Sequence, residues 1–153
     1  MLLPAAALLN VVSKRRLRRA VLALGEARRG WTYETFARDF EGRALPLEIL
    51  SAVYERFQRS AADHYGVETF PVRAADVLEE VYDARLVDEW NDLADENLES
   101  LVRDAAAACG RRVPELEERT TVARLRTVRD VVEYLERCPR VNDAGESSTA
   151  QAV

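Results

Sequence analysis

Histidine is nearly missing from this chain: His64 is the only one among 153 residues, and the two cysteines, Cys109 and Cys138, form no CxxC pair. Zinc sites built from several His or Cys ligands need more such side chains than are present, and so do histidine-dependent catalytic triads. Two cysteines make no disulfide framework, so both read as reduced thiols of a cytoplasm-like compartment. Glycine is also scarce, with six residues and no glycine-rich phosphate loop, which excludes P-loop and dinucleotide fingerprints. No apolar run reaches the roughly 20 residues of a membrane-spanning helix. Leu2 to Val12 comes nearest, and Pro4 and Asn10 interrupt it. Alternating apolar and polar segments are absent too, as are internal repeats. What remains is an all-α chain, large enough at this length to bury one core without staples.

Charge is distributed unevenly along it. The net charge is −5. Residues 1–30 hold seven basic and one acidic side chains, and residues 72–108 hold three basic and eleven acidic ones. An acidic chain is a poor general nucleic-acid binder, because affinity there comes from neutralised phosphates. The acidic stretch favours a basic protein partner instead. The basic cluster Lys14, Arg15, Arg16, Arg18 and Arg19 follows the apolar run, whereas a signal peptide carries its charge ahead of it. Three readings of residues 1–30 stay open. They form a first helix packed through Leu17, Val21, Leu22 and Leu24, or an arm that contacts an anionic membrane surface, or the inner end of a membrane span.

Residues 31–139 read as the helical domain. Gly30 ends the first helix, and Thr32 caps a short second one that runs through Phe40 and stops at Gly42. Pro46 opens the clearest helix, which reaches about His64 and carries Leu50, Val53, Tyr54, Phe57 and Ala61 on one stripe. After Gly66, Phe70 is expected to point inward, and Ala74 to Tyr82 to form a short helix. Leu98, Leu101, Val102, Ala105, Ala106 and Cys109 mark another helix, with Asp95 as its cap and Gly110 as its stop. A polar linker follows Val113-Pro114. The last helix starts at Thr127, with Asp130 in its first turn, buries Val128, Val131, Val132 and Leu135, and stops at Pro139. The composition of residues 140–153 reads as a disordered tail.

Candidate chemistry is thin. His64 stands at a helix end with no nucleophile and orienting group legible around it, so a helix-end role is expected. Asp92, Asp95, Glu96 and Glu99, three or four positions apart, and Asp104 beyond them read as a solvated or partner-binding acidic face. The EF-hand spacing and its central glycine are missing, so no metal is expected there. Trp31 and Trp90 read as core or half-buried anchors, Cys109 as core, and Cys138 as exposed ahead of Pro139.

The order "PVRAADVLEEVYD", "LADENLESLVRDAAAACGRRVP" and "TVRDVVEYLERC" over residues 72–138 resembles the acyl carrier protein family and its divergent relatives. The resemblance implies a small helical bundle whose acidic second helix docks on basic enzyme surfaces. It also implies a phosphopantetheine arm on a serine at the start of that helix. Here the matching place reads Glu96-Asn97-Leu98, and asparagine has no hydroxyl. Ser100, in Glu99-Ser100-Leu101, is the nearest alternative but falls about one turn later. The expectation is therefore a small all-α bundle, carrier-like over 72–138 with extra N-terminal helices, without enzymatic activity, cofactor or nucleic-acid partner. Its expected task is to present an acidic helix to a basic partner in the cytoplasm. The alternatives are a true carrier armed on Ser100, and an adaptor at the inner membrane surface.

Overall fold

A computed structural model describes residues 5–82, 98–114 and 121–144. Among these residues the chain is helical and contains no strand, only two isolated bridges, Val77 to Thr127 and Arg111 to Arg140. The helices are α1 (Ala5–Ala27), α2 (Tyr33–Arg38), α3 (Leu47–Tyr65), α4 (Leu78–Val81), α5 (Leu98–Ala108) and α6 (Val128–Arg137).

The centre of the bundle is α3, which packs against α2, α5 and α6. Its expected stripe is buried, and Ile49, Ala52, Ala62 and Tyr65 join it, so the apolar face is wider than one row. Phe36 from α2, Val102 from α5, and Val131 and Leu135 from α6 are fully buried around it. Each such side chain contributes roughly 1.5–3 kcal/mol relative to exposure. At its end Gly66 adopts a left-handed conformation (φ 66°) and its N–H closes on the Ala62 carbonyl. A residue with a Cβ is strained in that conformation, so the turn selects glycine.

Capping sets the start of α6. The Thr127 hydroxyl accepts from the Asp130 N–H at 3.3 Å, and the Asp130 carboxylate accepts from the Thr127 and Arg126 N–H groups, each at 2.9 Å. Thr32 also stands at the N-terminus of its helix, with its N–H 3.4 Å from the Thr35 hydroxyl. That helix ends at Arg38 rather than Phe40, and a run of turns follows to Gly42 (φ 88°).

Four expectations are corrected. The helix expected over Ala74 to Tyr82 is only the single turn α4, because the Asp76 carboxylate accepts from the Arg73 N–H and holds residues 73–76 in a turn. The linker is not wholly polar in role: Val122 is 2% exposed and belongs to the core. The start of the tail is ordered, since Val141–Ala144 forms a 3-10 turn and Val141 donates its N–H to the Gly110 carbonyl at 3.0 Å. Cys138 is buried (4% exposed), whereas Cys109 is half-buried, the reverse of what chain position suggested. α6 ends at Arg137, ahead of Pro139 as expected, and Arg111 donates to the Cys138 carbonyl at 2.9 Å.

Candidate functional site: an apolar cleft over a buried ion-pair network

The last turns of α1 bring the site together. Val21 is buried, and Leu17, Leu22 and Leu24 are half-buried, so α1 meets the body along its C-terminal half. Gly25 faces Phe70 so closely that an added Cβ would stand 3.3 Å from the ring. This close approach seats α1 beside the segment that follows α3. Phe70 is inward as expected, and its ring stacks on Tyr65 at 5.9 Å.

Between α1, α3 and residues 67–71 lies a cleft of about 620 Å³. Leu22, Tyr54, Val67, Phe70 and Pro71 give it an apolar floor, and Gln58, Thr32 and Thr69 add polar groups. Glu26 and Arg29 stand on the α1 side and pair with each other at 2.5 Å. Trp31, released from the helix by Gly30 (φ 84°), lines the same cleft with 40% of its surface exposed. The guanidinium of Arg73 lies 4.8 Å from its ring centre, and that of Arg28 6.0 Å away. Cations at that distance are attracted to an indole face and hold it in place.

Beside the cleft is a connected set of charges. Arg28 pairs with the buried Asp76 at 2.6 Å and donates to the Pro71 carbonyl at 3.2 Å. Asp76 also accepts from Tyr82 Oη at 2.9 Å. Burial first, and the Asp76 charge second, push the Tyr82 phenol well above its ordinary range, so it remains a proton donor. Arg73 clasps Asp39 through two nitrogens, the Nε contact being 2.7 Å, and the Ala74 N–H adds a third donor at 3.0 Å. Burial raises the Asp39 carboxyl, but these hydrogen bonds and the charges of Arg73 and Arg129 outweigh it and leave the group below the usual carboxylate range. Arg129 then donates to the Asp39 backbone carbonyl at 2.8 Å and covers Phe40. With three donors on each carboxylate, this network fixes geometry rather than offering a free base.

The sites expected from sequence are dispersed. Arg15, Arg16, Arg18 and Arg19 are exposed on α1, while the Lys14 side chain falls outside the described residues. Asp92, Asp95, Glu96 and Asn97 also lie outside them, as does Trp90. Glu99 is half-exposed and Asp104 exposed on α5. Asp104 shares a small depression of about 70 Å³ with Arg56, Arg59 and Asp63 of α3. Ser100 is half-exposed at the third position of α5, next to buried Leu101. His64 sits in the last turn of α3, its ring edge against Tyr65 and its Nε2 buried without a hydrogen-bond partner.

Sequence reasoning missed the network. Asp39, Asp76, Arg28 and Arg73 lie up to 48 positions apart, and nothing in their spacing marks them as one cluster. Trp31, read as a core or half-buried anchor, is 40% exposed. Among the described residues no helix is long and apolar enough to cross a membrane, and no group of three or more His, Cys, Asp or Glu is placed to hold a metal. No protein-family model, curated protein or solved structure matches this chain.

Proposed function

We propose that this chain is a helical protein-interaction domain, and that the surface it offers is the cleft between α1 and α3. The observation that carries the reading is Trp31, a large aromatic held by Arg73 at the edge of an apolar concavity, with 40% of its surface exposed. Exposed aromatics beside apolar pockets are the side chains that dominate binding energy in protein interfaces. A cleft of this size accepts one or two apolar anchor side chains from an amphipathic segment. The charged groups around it are committed to one another, which favours binding over bond-making chemistry. Residues 31–153 hold 15 basic and 26 acidic side chains, so the body attracts basic partners at long range. The partner is therefore a basic segment with an apolar anchor.

A Trp90→Phe chain leaves Trp31 as the single tryptophan and makes it the reporter. Titration with a synthetic Leu/Lys amphipathic helix should shift its emission to the blue and saturate at one peptide per chain. The Leu/Glu counterpart should not do so. Thr69→Arg, which places a long cation in the cleft, should weaken binding at least tenfold while circular dichroism stays unchanged. Equal affinity for both peptides, or no effect of Thr69→Arg, would overturn the reading.

A further inference from the structure

We infer that α1 carries a second, separate docking face, formed by Arg15, Arg16, Arg18 and Arg19, and that its partner is an anionic lipid surface. At 3.6 residues per turn the four arginines fall within an arc of about 160°. The residues on the side of α1 that meets the body, Leu17, Val21, Leu22, Leu24, Gly25 and Arg28, occupy an arc of about 160° that takes in Arg18 and leaves out Arg15, Arg16 and Arg19. All four arginines are exposed, whereas Val21 is buried and Leu17, Leu24 and Arg28 are half-buried. Arg15, Arg16 and Arg19 therefore point away from the domain, with exposed Arg18 at the boundary. Arg18 lies near enough to Tyr65 to act on that phenol, whose ionisation burial holds up at about 12.

Arg28 and Arg29 do not share this freedom. Arg28 is committed to Asp76 at 2.6 Å, and Arg29 to Glu26 at 2.5 Å. Glu26 is the only acid on α1, so nothing within the helix offsets the four arginines. Among the described residues none of the ion pairs involves them.

Charge alone fits several polyanions, and the composition of α1 selects among them. Within α1 (Ala5–Ala27) the residues ahead of Lys14 are Ala5, Ala6, Ala7, Leu8, Leu9, Asn10, Val11, Val12 and Ser13. A helix that joins an apolar stretch to an arginine face matches a bilayer interface, where acyl chains lie directly beneath anionic headgroups. A nucleic-acid backbone offers the phosphates without the apolar layer, and the acidic body is repelled by it. This face does not depend on the cleft, which lies further along α1, so either can fail without the other.

The full chain should be floated with vesicles of phosphatidylcholine containing 30 mol% phosphatidylserine, and with phosphatidylcholine alone. Binding is expected only to the first, and should fade as salt is raised. Each Arg→Gln change at 15, 16, 18 or 19 should lower the partition coefficient about fivefold. The fourfold Arg→Lys variant should retain binding, which separates charge from a folding defect. Equal binding to both vesicle types, or binding unchanged in the fourfold Arg→Gln variant, would overturn the proposal. So would tight binding of a 20-base-pair duplex by a chain that ignores the serine-containing vesicles.

Discussion

Replacing Asp76 by alanine removes the counter-ion of Arg28 and the acceptor of Tyr82 in one step. The Asp76 side chain is 1% exposed and that of Arg28 is 13%, so the orphaned guanidinium cannot turn to water without moving α1. Breaking a buried pair by removing one partner costs about 3–5 kcal/mol. Urea denaturation of Asp76→Ala should show a loss of that size. Adding Arg28→Met should recover part of it, because the unpaired charge is gone and the flexible side chain fills the space. If the double variant is no better than the single one, the carboxylate acts through the turn at residues 73–76 and not through its charge. From sequence, Asp76 looked like an ordinary helical residue. Its role depends on Arg28, 48 positions earlier, and no local pattern encodes a pairing at that distance.

At the scale of elements, legibility follows how local the cause is. The start of α6 was readable because Thr127 and Asp130 are three residues apart and satisfy each other's backbone. The short second helix and the Gly66 stop were readable for the same reason. The extent of α4 was not, because the Asp76 turn ahead of it is held by distant residues: the Leu78 N–H goes to the Arg126 carbonyl, and the Arg129 N–H to the Ala74 carbonyl. Two carboxylates at these junctions carry a pH signature. For Asp130, burial raises the carboxyl, but the Arg126 and Thr127 N–H groups and the Thr127 hydroxyl outweigh it, so the group lies below its ordinary 3.8, as Asp39 does. A carboxyl with a depressed folded value contributes stability above the unfolded value and loses it as pH falls through the folded one. The urea midpoint should therefore drop steeply below about pH 4. The Asp39→Asn/Asp130→Asn variant should start lower at pH 7 and fall less over the same interval. Parallel curves would show that these two sites do not carry the acid sensitivity.

For the whole molecule, α3 decides cooperativity. It lies outside residues 72–138, yet it packs against both α5 and α6 within that stretch and against α2 outside it. Residues 72–138 therefore share their core with residues 47–65. The molecule should unfold in urea as one unit, with far-ultraviolet circular dichroism and Trp31 emission in the Trp90→Phe chain giving coincident transitions. Two separated transitions would mean that the C-terminal half folds by itself. The helical class, the central amphipathic helix, the Thr127 cap, the Gly66 stop and the buried stripes of α3 and α6 were determined by sequence alone, because periodicity and capping act over three or four residues. The cleft, the exposure of Trp31, the clasp of Arg28 and Arg73 on Asp76 and Asp39, and the burial of Cys138 and Val122 were decided only by tertiary structure. Each needs segments far apart in the chain to meet, and which segments meet is fixed by how all the apolar faces can be buried at once.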